Sequence, residues 1–225
     1  MASLRAAPLP RAISPPSRRA AGARRARPCA SAAGAAAAEA KTVASSAHSD
    51  AELLALLEGF TASEQGVQDD SLLAESFEFI APVVGPLPKE DYLRAVRSFG
   101  FADAFSDRDD GLFGQAVDPV TPDCVWFMSR FQGTHTGTLA GVEPTNIKVQ
   151  LPPTASSVTF DANGKATKFT TGYVADRTQG NSGGLSALFG ILYAIGKPLP
   201  FREAQPYKPS WRFRFFRVLG NLRRN

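Results

Sequence analysis

Asn163-Gly164 is the feature that most restricts what this chain can fold into. The pair sits inside SSVTFDANGKATKFTTGYVADR, residues 156–177, between two runs rich in β-branched and aromatic residues. It supplies the positive φ values that a type I′ turn requires, so the two runs are expected to pair as an antiparallel hairpin. In the second arm Thr167, Phe169, Thr171 and Tyr173 share one face, while Lys168, Thr170 and Val174 share the other. A hairpin with an apolar face must bury it against another layer.

That layer is legible upstream. In SDAELLALLEGF, Ser49 or Asp50 can cap a helix whose Leu53, Leu56, Leu57 and Phe60 lie on one side. DDSLLAESFEFIAPVVGP opens with acids suited to a helix start, turns β-like around FEFIAPVV, and breaks at Gly85-Pro86. PKEDYLRAVRSF puts Pro88 and two acids at a helix start, with Tyr92, Val96 and Phe99 on one side. Up to Phe101 the chain reads as mostly helical. Beyond it the period changes. CVWFMSRFQ, flanked by Pro122-Asp123 and Gly133, reads as a strand buried on both faces, and NIKVQL as a half-buried strand. Helices followed by an antiparallel meander make the expected class α+β, with helices on one face of a bent sheet.

The two ends of the chain do not fit that domain. The first 48 residues carry seven arginines and Lys41 against a single acid, Glu39, together with five prolines and an Ala-rich run. A basic, acid-poor tract of this kind reads as a transit peptide, and its prolines suit a plastid signal better than the amphipathic helix of a mitochondrial one. Mitochondrion is the alternative. The tract accounts for +7 of a whole-chain charge of +4; residues 202–225 hold seven basic residues and one acid, which leaves residues 49–201 at −9. An acidic core is not expected to bind nucleic acid. The expected division is therefore 1–48 transit segment, 49–201 folded domain, 202–225 basic aromatic tail.

The tail, KPSWRFRFFRVLGNLRRN, reads two ways. As a strand it alternates Trp211, Phe213 and Phe215 with Arg212 and Arg214. As a helix it gathers Trp211, Phe215, Val218, Leu219 and Leu222 on one face, a basic amphipathic segment suited either to anionic lipid or to the acidic core. QGNSGGLSALFGILYAIG places Gly180, Gly183 and Gly184 before an apolar helix. It matches neither phosphate-binding glycine pattern and is read as a flexible lead into a closing helix. Only Cys124 lies outside the transit tract, so no metal site and no intrachain disulfide are expected, and no cofactor. No apolar run approaches the ~18 residues of a membrane span.

Three stretches together resemble a known family: GPLPKEDYLRAV, the run FQGTHTGTLAGVEPT, and DANGKATKFTTGYVADR. They look like a SnoaL-like domain of the nuclear transport factor 2-like superfamily over residues 49–195. The resemblance implies three N-terminal helices over a strongly bent antiparallel sheet, forming a cone around an apolar pocket. Cyclase-type relatives carry an acid and a histidine in the last strand, where this chain has Lys168-Phe169-Thr170. That departure leaves Asp176 as the acid there and His135 as the imidazole available for acid–base chemistry. Asp123 could orient His135 or act as a base itself. Trp126, Met128, Phe169 and Tyr173 are the candidate ligand contacts. Phe131 is expected to end a central strand, with His135 at the sheet's open rim. The functional expectation is a plastid protein that binds a small apolar molecule, with chemistry of the cyclase or isomerase kind. The alternative is a non-catalytic scaffold that docks through its basic tail on a membrane or partner, a homodimer being among the assemblies considered.

Overall fold

The computed structural model describes residues 46–222. The basic tract through residue 45, and the transit-peptide expectation with it, lies outside the described residues. Helix α1, Asp50–Ala62, begins where Ser49 and Glu52 cap each other. The Glu52 amide donates to Ser49 Oγ at 3.3 Å, and the Ser49 amide donates to the Glu52 carboxylate at 2.8 Å. Two amides that a helix start leaves without partners are thereby satisfied. Its Leu53, Leu57 and Phe60 are buried.

The next stretch is a strand rather than a second helix. Asp70–Leu72 makes one 3-10 turn capped by Asp69, and β1, Leu73–Ile80, follows directly. Ser76 and Glu78 alternate there with Phe77 and Phe79, a period of two that no helix can use. β2, Leu87–Pro88, leads into α2, Lys89–Phe99, which buries Tyr92 and Leu93 and stops at left-handed Gly100. α3 is the single turn Phe101–Ala104. The remaining strands are β3, Phe113–Val117; β4, Cys124–Ser129; β5, Gln132–Thr134; β6, Lys148–Gln150; β7, Thr154–Phe160; and β8, Ala166–Val174. α4, Ala187–Ala194, and α5, Trp211–Leu222, follow.

Six strands form one sheet in the order β2-β1-β8-β7-β4-β3. The sheet is open, with β2 and β3 as its edges, and the class is α+β as expected. One pairing departs from an all-antiparallel meander: β1 runs parallel to β8, with Phe79 opposite Phe169. This contact joins segments far apart in sequence, so no local pattern announces it. β5 and β6 stand apart as a two-stranded ribbon, in which Val149 is the buried residue of the short NIKVQL strand. β4 is not buried on both faces: Trp126 is exposed while Val125 and Phe127 are buried.

The expected hairpin is β7 and β8, but its turn is not type I′. Phe160 pairs with Ala166 and the Asp161 amide donates to the Lys165 carbonyl, so the loop is Ala162-Asn163-Gly164. Only Gly164 has positive φ, +75°. Three-residue loops of this kind end on one left-handed residue, and the Asp161 carboxylate closes this one by accepting the Asn163 and Lys165 amides.

Two apolar clusters result. The larger joins Leu57 and Phe60 of α1 to Phe77 of β1, Tyr92 of α2, Val158 of β7 and Phe169 of β8. Each such side chain, fully buried, contributes about 1.5–3 kcal/mol. The smaller joins Phe105 and Leu139 to Val149, Leu151 and the α4 residues Ile191 and Leu192.

Candidate functional site

Between these clusters lies a cavity of about 630 Å³. Phe79, Tyr92 and Phe169 line it from the larger cluster, and Phe99, Phe131 and Leu188 from the smaller. A volume of this size suits a small organic ligand, and the lining is mostly apolar. A shallower depression of about 530 Å³ beside α2 is ringed by charges that pair with one another, Lys89 with Glu75 at 3.1 Å and Arg97 with Asp70 at 3.2 Å.

The main cavity has one ionic corner. Arg108 donates through Nε to Asp110 Oδ1 at 3.0 Å and through a terminal nitrogen to Oδ2 at 2.7 Å. Its other terminal nitrogen meets Glu64 Oε1 at 3.1 Å. All three side chains line the cavity, and each is less than a third exposed. Burial works against the Arg108 charge, but the hydrogen bond to Asp110 and the charges of Asp110 and Glu64 outweigh it and hold the guanidinium above its ordinary range. Asp110 is gripped through both oxygens; Glu64 is gripped through one.

The backbone that delivers Glu64 is unusual. After α1 the chain turns through Glu64, Gln65 and Gly66 at φ +53°, +58° and +80°. Two successive non-glycine residues in the left-handed region cost about 1–2 kcal/mol each. The turn is held by Ser63 Oγ accepting the Gly66 amide at 3.0 Å and by the Tyr92 hydroxyl donating to the Gln65 carbonyl at 3.1 Å. Burial pushes the Tyr92 phenol up, so it stays protonated as that donor. Strain of this kind, held next to a cavity, is a mark of functional sites. A second polar surface comes from the sheet, where Ser156 and Thr171 share a hydrogen bond of 2.7 Å and Thr154 bonds Ser186 at 2.8 Å. All four of these residues line the cavity.

Of the residues singled out from sequence, Phe169 and Tyr173 line the cavity. Trp126 and Met128 do not: Trp126 is exposed, and its indole donates to Asp118 at 2.8 Å. Asp176 is also outside the lining. Hydrogen bonds from the Thr178 hydroxyl and amide, and then from Gln179, hold its carboxyl down at about 2, so it stays a charged turn cap rather than a base near neutrality. Asp123 accepts from Ser46, Ala47 and His48, clamping the start of the described chain.

His135 is not at a rim. It is completely buried, against Phe105 with ring centroids 5.7 Å apart, and is not part of the cavity lining. β4 ends at Ser129 and is the second strand from an edge, so Phe131 ends no central strand. The run after β5 folds inward because Gly137 sits against the Asp103 carbonyl, where a Cβ would collide, and because the His135 amide and carbonyl bond Ile147 and Asn146. Sequence reading missed Glu64, Arg108 and Asp110. The one signal is a lone cation in the acid-rich run DAFSDRDDG, which otherwise resembles a solvated loop.

No protein-family model matches the chain, and no curated protein does. Solved structures do. AclR from Streptomyces galilaeus, a proposed hydroxylase, is 17% identical with a TM-score of 0.50, covering 77% of this chain and 95% of its own. A protein from Jannaschia sp. CCS1 assigned as a SnoaL-like polyketide cyclase is 16% identical with a TM-score of 0.48, covering 68% and 98%. TsrD from Streptomyces laurentii is 16% identical with a TM-score of 0.46, covering 67% and 98%. What the chain shares with AclR is the fold.

Proposed function

We propose, for a chain with this SnoaL-like, nuclear transport factor 2-like fold, that it binds a small, mainly apolar molecule in the cavity between its two apolar clusters. The observation that carries this is the combination in one 630 Å³ space of an aromatic wall and a single ionic corner. Apolar pockets with a few convergent polar groups are the usual form of small-molecule sites. Acid–base chemistry of the cyclase or isomerase kind would run at this corner. Glu64 would be the proton acceptor, since Asp110 is fully occupied by Arg108, and His135 lies elsewhere. The neutral fluorescent probe N-phenyl-1-naphthylamine tests the reading: it should bind the full chain, and Thr171→Phe, which fills the cavity, should abolish the signal. Equal binding by the variant would sink it.

A second reading rests on α5. Every described side chain from 211 to 221 is exposed, including Trp211, Phe215, Phe216 and Val218, and no acid follows Glu203 in the sequence. The helix form of the tail is therefore the one present, and it joins exposed aromatics to Arg212, Arg214 and Arg217. Such a helix suits an anionic lipid surface, with apolar side chains in the acyl boundary and arginines at the headgroups. Cosedimentation with phosphatidylglycerol vesicles but not phosphatidylcholine vesicles supports it; equal behaviour with both, or self-association through the helix, counts against it.

The acid-poor tract of residues 1–48 supports import into a plastid. Fused to a fluorescent reporter in plant cells, it should deliver the reporter to plastids; mitochondrial labelling would favour the alternative.

A further inference from the structure

We infer that the cavity selects neutral, hydroxyl-bearing apolar molecules and rejects apolar carboxylates. The inference rests on the small-molecule reading above and narrows the ligand class. Among the described residues, the charged ones lining the cavity are Glu64, Asp110, Glu203 and a single cation, Arg108. The lining therefore carries net negative charge even with Arg108 ionised. That cation is already paired with two carboxylates. Two of its five N–H donors go to Asp110 at 3.0 and 2.7 Å, and a terminal nitrogen lies 3.1 Å from the Glu64 carboxylate as an ion pair. A ligand carboxylate that approached the guanidinium would sit beside two partly buried carboxylates already paired with it. Like charges held this close in a partly buried corner repel, and an unpaired charge there is costly.

A hydroxyl meets the opposite conditions. Glu64 is held by Arg108 through one oxygen, which leaves its second oxygen as an acceptor with ionic strength behind it. On the sheet side, the Ser156–Thr171 and Thr154–Ser186 pairs are hydroxyls that can both donate and accept, so they tolerate ether, carbonyl or hydroxyl oxygens without demanding a charge. The whole domain reinforces the bias, because residues 49–201 carry −9. The aromatic wall supplies the affinity, and the ionic corner decides which headgroup is accepted.

Competition against N-phenyl-1-naphthylamine on the full chain, at neutral pH, tests this with dodecanol and dodecanoate as a matched pair. Dodecanol should displace the probe at a concentration at least about tenfold lower than dodecanoate, a difference of about 1.4 kcal/mol. Glu64→Gln should narrow that ratio, because it removes a negative charge and the strong acceptor together. Glu203→Gln, at an exposed residue, narrows it through charge alone and covers the case in which the Glu64 variant does not fold. Equal displacement by the two ligands, or tighter binding of dodecanoate, overturns the charge inference while leaving the cavity reading intact. Probe binding that neither ligand disturbs also overturns it. Failure of the probe to bind removes the cavity reading and this inference with it.

Discussion

Thr145 holds the His135 ring from two sides at one atom: its amide donates to Nδ1 at 3.2 Å and its hydroxyl lies 3.0 Å from the same nitrogen. An amide can only donate, so Nδ1 is the unprotonated nitrogen and the proton sits on Nε2. Nε2 is buried and has no partner among the described residues. The imidazole is thus a neutral clamp that pins the run from Thr134 to Ile147 onto Phe105.

His135→Gln should therefore act on stability and not on ligand binding. Its amide can replace the acceptor at best partially, and loss of a buried hydrogen bond with ring packing costs about 1–3 kcal/mol. For a chain of this size that lowers Tm by roughly 2–12 °C. Differential scanning calorimetry reads the first effect, and titration with N-phenyl-1-naphthylamine reads the second. A variant that melts with the wild type but binds the probe poorly would return the histidine to the site.

The same burial gives a pH signature. It pushes the His135 pKa down, so the folded state resists the proton that the unfolded chain takes up below about 6.5. Between that value and the lower folded pKa the unfolded state binds more protons, and stability falls as pH falls. The slope from one such group is at most about 1.4 kcal/mol per pH unit. Wild-type Tm should decline from pH 7.5 to pH 5, with a shallower decline in His135→Gln. Asp118 and Asp176, held at about 2, stay charged across this range and do not contribute to it.

These outcomes show what a sequence can and cannot disclose here. The α1 cap, the β7–β8 hairpin and the α2 face were legible because each depends on residues within a few positions of one another. The β1–β8 pairing was not, since it joins Phe79 to Phe169 across most of the domain. Phe169 could be placed on the cavity face by alternation alone; Tyr173 could not, because a bulge between Thr170 and Tyr173 shifts the alternation and puts Val174 in phase with Phe169. Glu64, Arg108 and Asp110 could not, because two come from a loop and the third from a left-handed turn, and neither has a period. His135 misled for a related reason. Its flanking threonines and glycines resemble a surface turn, yet Gly137 is there to let the backbone press against Asp103.

Gly164→Ala tests whether the corrected turn governs the hairpin. The residue is left-handed at +75°, and a Cβ there would meet the flexible end of Leu56. The conformational penalty is about 1–2 kcal/mol, which lowers Tm by roughly 2–8 °C. Asn163→Ala should cost much less, because Asn163 does not have positive φ. Equal losses at the two positions would restore a type I′ turn.

The ion pairs at the cavity corner give the last prediction. Arg108→Met leaves Glu64 and Asp110 without their shared cation, in a setting where each is about a quarter exposed. Breaking a fully buried pair costs about 3–5 kcal/mol, and partial solvent access reduces this to about 2 kcal/mol. Tm should then fall by roughly 4–8 °C. Glu64→Gln alone should cost less, because Asp110 still holds the guanidinium through both oxygens. The triple change Glu64→Gln, Arg108→Met, Asp110→Asn should recover most of the loss, since no charge is then left unpaired. Thermal melts of the four proteins at low and moderate salt decide the matter. If Arg108→Met melts with the wild type, the three side chains are a solvated surface cluster, and the ionic corner assigned to the cavity does not exist.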